Sequence, residues 1–264
     1  MFERFLKKKQ TEAEPRPKFV MPDFDEQKII IEIQPIIRPS DGAVVGAEAL
    51  SRYLGEGDRM IEPLLFVPIL ESASVISELD AEVVRRMIAQ MKKWREQGKK
   101  MFPMSFNFSR ADFSEKGFLE NMDALLQENG IEKELVTIEV RESAVADSYE
   151  FMQRRLTWLH EQGYRIAIDD FGREDNLIFF FGDLPIDIVK FDRAVLMDAM
   201  HTEKGGRIMR HLIAGLKEAG MTVICEGVED REQEQIVLDA GCEQIQGFLY
   251  DKPLGIWEFG QKYL

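Results

Sequence analysis

Short β-branched runs alternate with longer stretches of helical period along most of this chain, and that alternation restricts the fold more than any single motif. Strands are read at "KIIIEIQPI" (28–36), "AVVGAEALSR" (43–52), "MFPMSFNFS" (101–109) and "ELVTIEV" (134–140). Four more follow at "RIAID" (165–169), "IDIVKF" (186–191), "MTVICEG" (221–227) and "CEQIQG" (242–247). Between them, helical spacing predicts helices over 79–97, 121–128, 147–162, 207–219 and 231–240. In the first, Leu79, Val83, Ile88, Met91 and Trp94 fall near one face. The first two strands are joined by the turn signal Ser40-Asp41-Gly42, which marks a hairpin. Strand–helix alternation argues a parallel α/β sheet. About eight strands in roughly 240 residues suit a closed barrel over an open sheet.

The strand ends carry the chemistry. The second strand delivers Glu48, the next Asn107, then Glu139, then the adjacent pair Asp169 and Asp170; Lys190, Glu226 and Gln246 follow on the last three. In an α/β barrel these ends converge on one face, where active sites are built. Carboxylates packed so closely repel one another and shift each other's pKa, a conflict that a divalent cation removes. Carboxylate and amide oxygens suit Mg²⁺, Mn²⁺ or Ca²⁺. Five carboxylates are too many for one Mg²⁺ but fit two ions about 3.5–4 Å apart, the arrangement used in phosphoester hydrolysis. Taken singly, each residue has a plainer reading. An Asp-Asp after a strand is often a turn or a helix cap, and a lone lysine is often a surface residue. Their common register at strand ends is what favours a site. His160, His201 and His211 lie in or beside helical stretches and are read as surface residues, so no zinc site is expected.

Composition sets limits on partners and compartment. The net charge of −14 gives no bulk attraction for nucleic acid, so no DNA partner is expected. Two cysteines, Cys225 and Cys242, make no disulfide framework and fit a reducing, cytoplasmic setting. No apolar run approaches the roughly 18 residues of a membrane span, so no transmembrane segment is expected. The start, "MFERFLKKKQ", lacks the apolar core of a signal peptide and reads as a solvated tail, with a weak membrane or partner contact as the alternative. With "TEAEPRPK" as linker, residues 1–23 form the tail and 24–264 the folded domain.

In sequence, "IQPIIRPSDGAVVGAEALSR" resembles the opening of the EAL domain, the bacterial family of cyclic di-GMP phosphodiesterases. The resemblance runs from about residue 28 to 255 through "FVPILE", "ELD", "FNFS", "IEVRES", "IDDFG", "LPIDIVKFD", "CEGVED" and "GCEQIQGFLYDKPL" in order. It implies a modified TIM (β/α)8 barrel with an antiparallel first strand, acting as a homodimer in second-messenger signalling. It also implies a reaction, Mg²⁺- or Mn²⁺-dependent hydrolysis of cyclic di-GMP to linear pGpG. Carried over residue by residue, Glu48, Asn107, Glu139 and Asp169 would hold one metal; Asp169, Asp170 and Glu226 would hold a second. Lys190 would orient the attacking water, supported by Gln246. Gln34, Leu50 and Arg52 would contact the dinucleotide, with Asp192 and Glu229 at the guanine or ribose, and Glu142 would anchor the loop after Asp170.

The departures from the family gather at that loop. The chain has "EVRES" for the family's "EITES" and "DDFGREDNLI" for "DDFGTGYSSL", with the milder "QGFLYDKP" for "QGYLFSRP". Small residues and glycine let such a loop turn tightly; Arg173, Glu174 and Asp175 are bulkier and charged. The expectation is slow turnover with near-normal affinity. A catalytically weak or silent receptor for cyclic di-GMP is the alternative, and a nucleotide-independent interaction module is a third.

Overall fold

The computed structural model describes residues 24–55, 57, 59–172 and 182–264. The expected loop 173–178 and the three phenylalanines 179–181 lie outside the described residues.

Eight strands close into a barrel. They are β1 (Ile29–Arg38), β2 (Ala43–Leu54), β4 (Met104–Phe108), β5 (Val136–Arg141), β6 (Arg165–Phe171), β7 (Ile188–Asp192), β8 (Thr222–Glu226) and β9 (Gln244–Gln246). The ring runs β1-β9-β8-β7-β6-β5-β4-β2 and returns to β1. Pairing from β2 through β9 is parallel, whereas β1 is antiparallel to both β2 and β9. This is the closed barrel that the alternation predicted, with the antiparallel first strand that the resemblance implied. The hairpin is longer than its neighbours and projects past the barrel rim. Two short strands not read from sequence, β3 (Met60–Ile61) and β10 (Leu254–Gly255), pair with its projecting part.

All five expected helices are present, at Ile76–Glu96, Phe118–Asn129, Tyr149–Glu161, Glu203–Glu218 and Arg231–Ala240. Five more were not read: Pro63–Ala73, Arg110–Ser114, Glu142–Ala146, Arg193–Met200 and Ile256–Lys262. Most of these have only one or two turns, too short for helical period to register. Pro63–Ala73 carries Pro68 in its interior, a residue that normally argues against helix.

Two apolar regions hold the barrel. The larger lies between the strands and the surrounding helices and takes the outward-facing residues, such as Ile29, Ile31 and Ile33 of β1. The smaller, Ile36, Ala167, Ile188 and Ile224, fills the barrel interior as a floor. Since side chains alternate along a strand, the residue two positions from each floor residue also points inward. That places Gln34, Asp169, Lys190 and Glu226 in the next layer toward the carboxyl ends of the parallel strands. Among the described residues no helix is long and apolar enough to cross a membrane.

Candidate active site

Lys190 is the centre of this layer. Its side chain is 1% exposed. Its Nζ lies 2.9 Å from Glu48 Oε2 and 2.7 Å from Glu139 Oε2, and it also contacts Glu226 Oε1. Asn107 Nδ2 donates to Glu48 Oε1 at 2.6 Å, and Gln246 Nε2 donates to Glu48 Oε2 at 2.8 Å. Gln246 Nε2 also reaches Gln34 Oε1 at 3.1 Å, and Gln34 Nε2 donates to the Asp251 carbonyl at 3.1 Å. Seven strands thus contribute to one connected network.

The charges do not balance. Four carboxylates, Glu48, Glu139, Asp169 and Glu226, act on one ammonium. Burial works against the charge on Lys190, but Glu139, Glu226, Glu48 and Asp169 outweigh it and hold the ammonium well above the usual lysine range. Burial also raises Glu48, yet Lys190 and the amides of Gln246 and Asn107 overcome it and leave this carboxyl low. Glu139 lacks those amide donors, so burial and the neighbouring Glu48 push it up to about 8. Burial likewise raises Asp169 and Glu226, with Lys190 only partly offsetting it. One lysine therefore secures one carboxylate fully and leaves the others short of positive charge.

Asp169 and Asp170 sit where β6 is irregular. Pairing with β7 shifts register between Ile168 and Phe171, and Asp170 has φ 57°, in the left-handed region. A regular strand would send adjacent side chains to opposite faces; a bulge with a left-handed residue breaks that rule, and such strain is characteristic of functional sites. The backbone N–H of Asp170 donates to Asp169 Oδ1 at 2.8 Å. Just beyond, Gly172 at φ 92° donates its N–H to the buried Glu142 Oε2 at 2.9 Å. Phe171 packs edge-on against Phe191, with centroids 5.0 Å apart, which fixes the strand end beneath.

A cleft of about 230 Å³ opens over this layer, lined by Gln34, Glu48, Leu50, Glu226, Glu229 and Gln246 with Gly227, Gly247 and Phe248. Gly247 is required there, because a Cβ would come within 2.1 Å of the Val228 carbonyl oxygen. Arg52 stands higher on the hairpin, buried, with Nε 3.0 Å from Glu32 and 3.5 Å from Glu62. Glu229 pairs with Arg193 at 3.0 Å on the rim. Asp192 accepts the Ala194 N–H at 2.7 Å and so caps the helix Arg193–Met200, the plainer role open to a carboxylate after a strand. His160, His201 and His211 are all exposed.

The structure thus brings Gln34, Glu48, Glu139, Asp169, Lys190, Glu226 and Gln246 into one layer, with Asn107 bonded to it and Leu50 and Glu229 at the cleft. Glu32, Glu62 and Phe248 were not singled out from sequence. For Glu32 the signal was present: it lies two residues before Gln34 on the same strand, and so on the same face.

The donor set fits hard divalent cations. It is oxygen-rich, its carboxylates exceed the nearby positive charge, and the buried acceptor Gln246 Oε1 has no hydrogen-bond partner. Among the described residues no three His, Cys, Asp or Glu side chains are gathered at metal-binding spacing. The carboxylates instead close on the Lys190 ammonium.

Fold and site together define a modified TIM barrel with an acidic cleft at the carboxyl ends of its strands. The chain belongs to the EAL domain family, whose pattern matches residues 20–253. It is 29% identical over 229 residues to the probable cyclic di-GMP phosphodiesterase PdeI of Escherichia coli K12, covering 86% of this chain and 29% of that protein. It is 27% identical to the signaling protein YkoW of Bacillus subtilis 168, covering 90% of this chain and 30% of that protein. The chain therefore spans about a third of the length of these curated relatives. Among solved structures, the MucR phosphodiesterase of Pseudomonas aeruginosa in complex with c-di-GMP superposes with a TM-score of 0.81. It is 25% identical, with 88% of this chain and 94% of that one covered. The c-di-GMP-bound EAL domain of FimX from the same species, at 20% identity, covers 86% of this chain and 91% of that one; its TM-score of 0.77 supports the fold.

Proposed function

We propose that this chain is a divalent-metal-dependent phosphodiesterase that opens cyclic di-GMP to linear pGpG. The observation that carries this reading is the excess of carboxylate over ammonium around Lys190, open to a cleft, with the buried Arg52 further along the same hairpin. Glu48, Asn107, Glu139 and Asp169 would hold one Mg²⁺ or Mn²⁺, and Asp169, Asp170 and Glu226 a second. Bound there, the metals would lower the pKa of a water and neutralise charge developing on the phosphate. The protein's own groups do the rest. Arg52 binds a phosphate oxygen through its planar fork of N–H donors. Leu50 and Phe248 give the cleft apolar surface for the nucleotide, with Gln34 and Glu229 as polar contacts. Lys190 orients the attacking water, and Asn107 and Gln246 hold Glu48 in place and ionised.

Incubation with cyclic di-GMP and Mg²⁺ or Mn²⁺, followed by chromatography, tests the reading: pGpG should accumulate. Binding without any turnover would favour the second reading, a receptor for the same dinucleotide. That reading is supported by the charged sequence Arg173-Glu174-Asp175, where the family carries Thr-Gly-Tyr. Replacing residues 173–177 with Thr-Gly-Tyr-Ser-Ser should then raise the rate and leave affinity nearly unchanged.

A further inference from the structure

The projecting hairpin carries a carboxylate where the site needs positive charge. In the β1–β2 register, Gln34 faces Glu48, Glu32 faces Leu50 and Ile30 faces Arg52. Directly opposed residues point to the same side, and so do residues two apart. Gln34 and Glu32 on one strand, with Glu48, Leu50 and Arg52 on the other, therefore form one wall above the Lys190 layer. Arg52 stands four residues along from Glu48, about 13 Å at strand rise. Its Nη1 donates to its neighbour's carbonyl, Ser51 O, at 2.9 Å, and its Nε lies 3.0 Å from Glu32 Oε2. Glu62 approaches the same Nε from the solvent side at 3.5 Å, with its side chain 65% exposed against 24% for Glu32. The one cation of this wall thus already has a carboxylate beside it.

Resting on the proposed function, we propose that Glu32 is the anion with which substrate phosphate competes for Arg52, and that it sets the affinity of the cleft. A phosphate oxygen reaching Arg52 must share or displace Glu32, and any sharing places two anions side by side. Glu32 touches no reacting atom; it acts through Arg52. Its influence falls on binding rather than on the bond-breaking step, because Arg52, the group through which it acts, stands about 13 Å along the wall from Glu48.

The test measures binding and turnover of cyclic di-GMP by wild type, E32Q, E62Q, R52A and the E32Q/R52A double variant. Glutamine keeps the size of Glu32 and removes its charge. Kd and KM should fall about fivefold in E32Q, the scale of a partly exposed ion pair, with kcat unchanged. E62Q should change them less than twofold, since that partner is further away and solvated. In the R52A background the gain from E32Q should shrink to less than half. Unchanged or weaker binding by E32Q, beside normal binding by wild type, would overturn the inference alone, as would a gain that persists in full without Arg52. Absence of binding by both wild type and E32Q would overturn the proposed function with it. Should E32Q fail to fold, Glu32→Asp, which keeps the charge but draws it back from Arg52, should lower Kd by a smaller factor; unchanged or weaker binding there counts against the inference in the same way.

Discussion

Inside the barrel, two layers supplied by the same strands have opposite character. The floor of Ile36, Ala167, Ile188 and Ile224 is wholly apolar. Two residues along each strand the interior holds Gln34, Asp169, Lys190 and Glu226, joined by Glu48, Glu139 and Gln246 from other strands. Both layers are largely sheltered from water, so burial alone does not separate them. The floor gains from burial at about 25 cal/mol per Å² of apolar surface and needs no partner. The charged layer loses from burial and needs every partner it has. A family of barrels can therefore keep a site of this kind only where a packed floor beneath it supplies the stability that the charges consume.

The comparison can be broken most severely at Lys190. Lys190→Met leaves four carboxylates, of which Glu48 and Glu139 are buried, without a cation and should destabilise the protein by about 3–5 kcal/mol as well as stopping turnover. Added Mg²⁺ or Mn²⁺ should restore more thermal stability in this variant than it adds to wild type. A melting temperature close to wild type in metal-free buffer would show that the lysine is not the charge that holds the layer.

Glu48→Ala should cost less in stability and nearly as much in function. It removes the carboxylate that receives Lys190, Asn107 and Gln246 together. A loss of about 10²–10³-fold in kcat is expected, the scale of deleting one well-placed electrostatic partner. Wild-type turnover by a folded Glu48→Ala protein, with metal supplied, would remove the carboxylate layer from the reaction.

The floor should behave in the opposite way. Ile224→Val deletes one buried methylene and should cost about 0.5–1.5 kcal/mol in denaturant unfolding, with kcat and KM unchanged. A change in turnover without a change in stability would mean that the two layers are not separable.

The charged layer should also give a pH dependence of opposite sign to ordinary acid denaturation. Glu139 is raised from 4.5 to about 8, so its folded form binds the proton more tightly than the unfolded chain does. Its contribution to stability is full below about pH 4.5 and is lost as pH rises toward about 8. Asp169 and Glu226 are shifted in the same direction. Glu48 is shifted the other way, and its contribution is lost only as pH falls below its usual range. In metal-free buffer the melting temperature should therefore fall between pH 5 and 8, by about 2–4 °C for each kcal/mol lost. Magnesium should flatten that slope, and a profile already flat without metal would show that the upper layer is not short of positive charge.

The sequence determined the eight barrel strands, five of the longer helices, and the ring of polar strand ends. Each depends on local periodicity or on a residue type at a repeated register, and both are written along the chain. Lys190 shows the limit of that reading. Its place after an apolar run marked it as a site residue, but its contacts with Glu48, Glu139 and Glu226 come from residues 142, 51 and 36 positions away. Asp169 and Asp170 were both read as candidate ligands, yet a regular strand would separate them; the bulge and the left-handed φ of Asp170 belong to the folded backbone. Asp192 was read toward the nucleotide, and the fold also uses it to cap the next helix. Glu32 went unread although it lies two residues before Gln34 on the same strand; only the hairpin register sets it beside Arg52. The chain itself determined which groups are charged and which face of each strand they share. Only the closed barrel decided which charges meet, because ion pairing depends on distances of a few ångströms between strands that are far apart in sequence.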